Sequence, residues 1–144
     1  DRYPYVKTTT LREDVRDHVD VEVSVVEHPD NDESFSRHVC KVDVKAPKRA
    51  SRSGEFTDGV MWVELRTRSG RPGWVYGKAD LVAQEVHRKG FVMMNRDALR
   101  RYAESQLAKN PGCRHVRDGN PEEVLLRLGF ADCVERSGVC FWPL

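Results

Sequence analysis

The sequence lacks several features that would define a protein class by themselves. No apolar run approaches the roughly 20 residues that a membrane-spanning helix needs. The first ten residues, DRYPYVKTTT, are too polar for a signal peptide. The formal net charge of the 144-residue chain is only +1, so no overall field draws it to nucleic acid or to an anionic membrane. These absences predict one soluble domain, residues 1–144, without a membrane partner, in an intracellular compartment such as the cytoplasm, the nucleoid or an organelle matrix.

The cysteines do not form a recognisable metal-binding pattern. None of the four belongs to a C-x-x-C pair, which argues against a zinc knuckle. Their spacings are long and irregular, which predicts free thiols in an intracellular protein. The four positions are Cys40, Cys113, Cys133 and Cys140.

The first half of the chain carries the alternating pattern of β-strands. Residues 19–26, VDVEVSVV, alternate with period two and are rich in β-branched side chains. Residues 37–46 and 60–67 have the same character, and residues 28–34 form a polar loop between the first two strands. The three segments predict a three-stranded meander.

The second half changes period. In residues 78–86 apolar side chains recur at helical spacing, and residues 90–95 form a short apolar strand. Asn95 can cap a following helix, and Asn120 opens a segment with the signals of a second helix start, which would end at Gly129. The final SGVCFWPL predicts a last strand. The predicted order is a three-stranded meander followed by helix, strand, helix, helix and strand, an α/β or α+β fold.

Charged side chains collect on one face of the predicted meander. Because side chains alternate along a strand, one face of the sheet is apolar and is expected to pack against the helices, and the other face is polar. Carboxylates beside a lysine can hold a hard divalent cation, and the lysine can position or deprotonate a water molecule. A solvated face with cross-strand ion pairs is the alternative interpretation. The polar face is expected to carry Asp20, Glu22, Asp43, Lys45, Glu64 and Arg66.

Basic and aromatic residues suggest contacts with nucleic acid. Clustered cations can grip a phosphate backbone, although they are equally typical of solvated loops. Aromatic rings can stack on bases or pack in the core. The candidate cations are Lys48, Arg49, Arg52 and Arg66, and the candidate rings are Trp62, Trp74 and Tyr76.

An ordered set of motifs resembles a known superfamily. Asp20 on one strand, followed by Asp43-Val44-Lys45 on the next, is similar to the signature of the PD-(D/E)xK nucleases, which share the restriction-endonuclease-like fold. Over roughly residues 17–107 the chain also resembles small members of that superfamily from phages and bacteria. The runs that carry this resemblance are HVDVEV, VDVKAPKRASR, MWVELRTRSGRPGWVYGKADLVAQEV and FVMMNRDALRRY.

The resemblance implies a fold and a set of roles. The fold would be a restriction-endonuclease-like mixed sheet, with the meander followed by helix, strand and helix. Asp20 and Asp43 would bind Mg²⁺ or Mn²⁺ with the main-chain carbonyl of Val44. Lys45 would orient the attacking water and stabilise the developing charge. Glu64, and also Glu22, would be additional ligands.

The implied function is that of a magnesium-dependent endonuclease or exonuclease, a hydrolase that cleaves phosphodiester bonds in DNA. Two departures weaken the match: His18-Val19 stands before Asp20 where the signature has proline, and the opening helix would be reduced to LREDVRDH, with Glu13 as its acid. The alternative is a nuclease fold that has lost catalysis and serves as a nucleic-acid-binding or assembly subunit. Its assembly is open between a homodimer and a subunit of a nucleoprotein complex.

Overall fold

The computed structural model describes residues 5–8, 17–27, 36–47 and 59–144. These residues contain nine strands, two α-helices and two short 3-10 turns, Trp74–Tyr76 and Pro111–Cys113. The strands are β1 Tyr5–Thr8, β2 Val21–Glu27, β3 Ser36–Lys45, β4 Val60–Arg66, β5 Leu81–Val86, β6 Gly90–Asn95, β7 Arg114–His115, β8 Val124–Gly129 and β9 Gly138–Pro143. The helices are α1 Arg96–Lys109 and α2 Phe130–Ser137. The prediction of a mixed α/β protein is confirmed.

The larger sheet has six strands in the order β1-β2-β3-β5-β6-β9. Neighbouring strands are antiparallel except β3 and β5, which run parallel with Asp43 opposite Val82. The predicted strands at 19–26, 37–46 and 90–95 are confirmed as β2, β3 and β6, and the last strand as β9. β1, which pairs with β2, has no counterpart in the sequence prediction.

The predicted meander is wrong in its third strand. β4 does not continue the larger sheet but joins a second sheet with the order β4-β8-β7. The partner of β3 is instead β5, which follows β4 in the chain. β4 is instead paired along its length with β8. The antiparallel register runs from Val60 opposite Gly129 to Arg66 opposite Val124.

Residues 78–86 do not form the predicted helix, since their apolar part is β5. Val82 and Ala83 are both buried, on opposite faces of the sheet. A strand that is covered on both faces loses its alternation, and its apolar residues can then fall at helical spacing by coincidence.

The helix predicted to begin at Asn120 is also wrong, because residues from Val124 to Gly129 form β8. The Asn120 side chain accepts a hydrogen bond from the backbone N–H of Glu122 at 2.9 Å, which closes a turn and not a helix. β8 lies between two strands and buries most of its side chains. By contrast, Asn95 caps α1 as predicted, through a 2.8 Å hydrogen bond from the Ala98 N–H.

One hydrophobic core joins the two sheets and both helices. Its side chains include Met61, Val63 and Leu65 of β4, Leu126 and Leu128 of β8, Val82 of β5, Met94 of β6, Leu99 and Ala103 of α1, Cys133 of α2 and Trp74 of the first 3-10 turn. A smaller cluster on the opposite face of the larger sheet contains Val42, Ala83 and Met93. All four cysteines are free, as predicted. In the described part of the chain, no helix is long and apolar enough to cross a membrane.

Candidate functional site

The charged face of β3 lies on the side of the sheet that packs against the core. Asp43 is opposite Val82 in the parallel register, and Val82 belongs to the core that α1 and α2 share. The sequence predicted the reverse, with the helices on the face of Val42 and Val44. The alternation along β3 is therefore correct, but the covered face is the one that carries the charges. Asp43 is in consequence only 2% exposed.

Lys45 contacts Asp43 from two positions along the same strand. Its Nζ atom is 2.7 Å from Oδ1 of Asp43 and 4.9 Å from the centre of the Trp74 ring. The lysine side chain keeps 26% of its surface exposed. The ammonium group is thus held between a carboxylate and the face of an indole while it remains within reach of solvent.

Asp20, which directly precedes the neighbouring strand β2, lies beside the Asp43–Lys45 pair. Its backbone N–H donates to the carbonyl of Val42 at 2.9 Å, and its Oδ2 accepts from the N–H of Val44 at 2.6 Å. These two bonds fix the side chain of Asp20 across β3 beside Asp43. The arrangement brings together Asp20, Asp43, Val44 and Lys45, the residues that the PD-(D/E)xK resemblance implied.

Burial raises the pKa of the Asp43 carboxyl from 3.8 to about 7. The charge of Lys45 and its hydrogen bond oppose this rise, whereas the negative charge of Asp20, and the hydrogen bond that a protonated Asp43 makes with it, add to it. When Asp43 is ionised, its enclosed Oδ2 accepts no hydrogen bond in the described structure.

The segment before Asp20 is anchored by residues that the sequence analysis did not assign to the site. His18 adopts a left-handed backbone conformation with φ of 51°. The Asp17 carbonyl accepts from the Lys78 N–H at 2.8 Å, and the two side chains form an ion pair at 3.1 Å. A Cβ at Gly77 would lie 2.8 Å from the Asp17 carbonyl oxygen, so the close approach requires glycine. In the sequence, the signal for this close approach is Gly77, the second glycine of GWVYGKAD.

Glu64 and Glu22 are not brought to Asp43 as ligands. Glu64 is on β4, where Met61, Val63 and Leu65 point into the core, so its side chain points away from the larger sheet and lies near Arg117. β4 belongs to the second sheet, which is why the prediction for Glu64 fails. Glu22 shares the face of Asp20, but it is opposite Lys41 and lines a small cleft with Lys78.

Of the four basic residues predicted to contact nucleic acid, only Arg66 lies in the described part of the chain. Arg66 is in the second sheet, and its Nε donates to the carbonyl of Glu122. Lys48, Arg49 and Arg52 lie outside the described residues. Trp74 is 8% exposed and packs in the core, where it contacts Lys45 and is not available to stack on bases.

The donor set at Asp43 fits a magnesium ion in its chemistry. In the described ranges no group of three or more Asp, Glu, His or Cys side chains is placed to hold a metal. Mg²⁺, however, is typically bound by one or two carboxylates and completes its shell with waters and substrate phosphates. Asp20 and Asp43 supply two carboxylates, and Oδ2 of Asp43 has no competing donor.

Comparisons of the chain with family models, with curated proteins and with solved structures give no match.

Proposed function

We propose that the protein is a metal-dependent phosphodiesterase that acts on DNA and has a restriction-endonuclease-like fold. The observation that carries the proposal is the buried carboxylate of Asp43, which has Asp20 on one side and Lys45 at 2.7 Å on the other. Strongly shifted carboxyl groups with a specific charge partner are typical of functional sites. The ordered sequence motifs between residues 17 and 107, which include these three residues, also support the proposal.

Electrostatics favour a divalent cation between the two carboxylates. Two adjacent negative charges, one of them buried, disfavour the fully ionised pair. Asp20 and Asp43 would hold Mg²⁺ or Mn²⁺, with the carbonyl of Val44 as a further oxygen ligand. Bound there, the ion would polarise a phosphoryl oxygen and lower the pKa of a bound water molecule.

Lys45 supplies positive charge to the transition state in addition to the metal ion. Its ammonium group donates hydrogen bonds to the attacking water and to the phosphoryl oxygens, where negative charge develops in the transition state. Trp74 restricts the position of that group from the opposite side. In the reaction the water oxygen bonds to phosphorus and the bond to the leaving sugar oxygen breaks. The water proton is released to solvent, which reprotonates the leaving oxygen.

Two observations favour the alternative, a nuclease fold that binds or assembles on nucleic acid without cutting it. Oδ2 of Asp43 is enclosed, so a cation reaches it only if neighbouring side chains move. Within the described ranges there is also no third carboxylate at the site. The two functions make different predictions for cleavage and the same prediction for binding.

The test is a cleavage time course with Mg²⁺ or Mn²⁺ on labelled single-stranded, duplex and branched DNA, with a binding isotherm for each substrate. Asp43→Asn and Lys45→Ala are expected to cut at least about a hundredfold more slowly, because each removes one preorganised electrostatic group. The affinity of Lys45→Ala for DNA should change little, since one phosphate contact among several is lost, and that of Asp43→Asn should change little because Asp43 is not a phosphate contact. Lys41→Ala is the matched control, because Lys41 is an exposed lysine on the same strand and face.

Cleavage by the wild type and by Lys41→Ala, together with slow cutting by the other two variants, supports the proposal. Binding without cleavage by the wild type supports the alternative. Equal cleavage by Lys45→Ala and the wild type places the reaction elsewhere in the protein.

A further inference from the structure

A cleft opens in the second sheet where β7 stops pairing with β8. β7 is only two residues long, and its residues Arg114 and His115 lie opposite Leu126 and Leu125. The chain before Arg114 forms the 3-10 turn Pro111–Cys113 and does not continue the strand. In the described part of the chain, no strand therefore covers this edge of β8 beyond Leu126. The cleft between the turn and the end of β8 has a volume of about 410 Å³, within the range of roughly 300–1,000 Å³ that is typical of ligand pockets.

Basic side chains line this cleft. They are Arg114, His115 and Arg127, and the described lining contains no carboxylate. Asp132 lies near one end, since its Oδ2 would be 2.7 Å from a Cβ at Gly129, but it forms no ion pair with either arginine. Positive charge that faces a cleft without a counter-charge attracts anions.

Arg127 presents its whole guanidinium group to solvent. It lies opposite Trp62 in the register of β4 and β8, on the face of the sheet that points away from the core. The side chain is exposed, and among the described residues it has no ion pair or hydrogen bond. A guanidinium group with free donors can bind a phosphate through two parallel hydrogen bonds.

Arg114 supplies a second positive charge that no carboxylate neutralises. Its Nη2 donates to the carbonyls of Pro121 at 2.8 Å and Glu123 at 2.7 Å, which fixes the side chain. The Glu123 carboxylate pairs instead with Arg117. The enclosed Nε of Arg114 has no acceptor in the described structure. The guanidinium group is therefore held in place with an unused donor and an uncompensated charge.

His115 adds an aromatic ring to the cleft. Its imidazole stands edge-to-face with the Trp62 indole, with the ring centres 4.9 Å apart and the planes at 75°. Such a contact occupies a face of only one of the two rings, and His115 remains exposed. Imidazole rings and guanidinium planes both stack on unpaired bases. The cleft thus combines groups that bind phosphate with a surface that can hold a base.

We propose that this cleft binds a nucleotide, either free or as a unit of a single strand. Arg127 and Arg114 bind the phosphate, and the base stacks on the ring of His115. The base must be unpaired, because the bases of a duplex are stacked on one another and expose only their edges. No residue of the cleft belongs to the candidate metal site, so the inference does not rest on the proposed phosphodiesterase activity.

The experiment is a titration of the isotope-labelled protein followed by NMR, in buffer freed of divalent metal so that cleavage plays no part. The probes are inorganic phosphate, deoxyadenosine, deoxyadenosine monophosphate and an oligodeoxyadenylate of about six residues, the size that one small binding site covers. The monophosphate should shift the amide signals of Gly112, His115 and Arg127. It should bind about tenfold more tightly than inorganic phosphate at the same signals, because a stacked base adds to the affinity. Deoxyadenosine, which lacks the phosphate, should bind far more weakly.

Three variants assign the roles. Arg127→Gln should weaken binding of the monophosphate at least about tenfold, since a charge-assisted hydrogen bond is lost. His115→Ala should remove the advantage of the monophosphate over inorganic phosphate. Arg136→Gln is the matched control, because Arg136 is an exposed arginine on α2 that does not line the cleft. It should bind all four probes as the wild type does.

Tighter binding of the oligonucleotide than of the monophosphate identifies a strand as the ligand, and equal binding identifies the free nucleotide. The proposal is overturned if the monophosphate shifts no signal of the cleft, if it binds no more tightly than inorganic phosphate, or if Arg136→Gln and Arg127→Gln weaken it equally. Binding that Asp43→Asn abolishes would place the nucleotide at the candidate metal site and also overturn the proposal. Cleavage by a wild type that fails this titration would leave the phosphodiesterase proposal intact and overturn only the nucleotide cleft.

Discussion

Lys45 holds its ammonium group 2.7 Å from Oδ1 of Asp43, a carboxylate that is only 2% exposed. The pair links a solvent-accessible cation to a buried anion whose other oxygen has no partner in the described structure. Of the charges that act on Asp43, Lys45 is the one that favours its ionised form. The stability of the fold and the chemistry of the site therefore depend on the same contact.

Replacement of Lys45 by Met is expected to destabilise the protein by roughly 1–3 kcal/mol near neutral pH. The substitution keeps the apolar stem beside Trp74 and removes the charge, so Asp43 remains buried without its cation. The loss is smaller than for a fully buried pair, because Lys45 is partly exposed and Asp43 can take up a proton. Urea unfolding of Lys45→Met and of the control Lys41→Met measures the difference. Equal stability of the two variants would show that the contact contributes nothing.

The apo protein should lose stability as the pH rises through the range in which Asp43 ionises. The folded pKa of about 7 lies above the ordinary 3.8, so the folded state binds the extra proton between these values. Its contribution to the free energy of unfolding is therefore favourable at low pH, falls as the pH rises toward 7, and is absent above it. The size is a few kcal/mol at most.

The control for this pH effect is Asp43→Asn, which has the shape of the neutral acid and does not titrate. Unfolding in the presence of a chelator should give two curves that diverge with rising pH, with Asp43→Asn gaining relative to the wild type by about pH 8. Curves that stay parallel from about pH 5 to about pH 8 would exclude a raised pKa for Asp43.

More of the candidate site than of the surrounding fold could be predicted from the sequence. Alternation along two adjacent strands was enough to place Asp20, Asp43 and Lys45 on one face, because that inference needs only local geometry and one antiparallel pairing. Which face is buried depends on where the helices pack, and the sequence of β3 is apolar enough on its other side to suggest the wrong answer. The raised pKa of Asp43 follows from that tertiary packing.

The error at Glu64 has a different origin. Its strand has the same alternation as its neighbours, but it pairs with β8, about 60 residues later in the chain. Long-range pairing is not encoded in the pattern of either strand. β5 was predicted as a helix because a strand buried on both faces loses its alternation. β8 was predicted as a helix from the local start signals at Asn120, which in the structure close a turn. Helix α1, with its local cap at Asn95, was predictable because its signals are local.

Gly73→Ala is expected to destabilise the protein by roughly 1–3 kcal/mol or more, which is the range for overpacking. A Cβ at this position would lie 2.1 Å from the carbonyl oxygen of Glu64, and a backbone atom cannot move aside as a side chain can. Gly73 precedes Trp74, so displacement of the turn also removes the ring from Lys45. Gly59→Ala is the control, because among the described residues nothing lies within 4 Å of its added carbon. A Gly73→Ala variant as stable as Gly59→Ala would mean that the turn is not packed as described.

Divalent metal should stabilise the wild type and not the variant that lacks the Asp43 carboxylate. An ion at ten times its dissociation constant adds about 1.4 kcal/mol to the free energy of unfolding, which raises the melting temperature by roughly 3–5 °C for a chain of this size. Asp43→Asn should show little response to millimolar Mn²⁺. Glu64→Gln should respond like the wild type, because Glu64 points away from the larger sheet. The response should also weaken toward about pH 5, where protons compete for Asp43. Equal shifts in all three proteins would mean that the ion acts nonspecifically, and a loss of response in Glu64→Gln would place the metal in the second sheet.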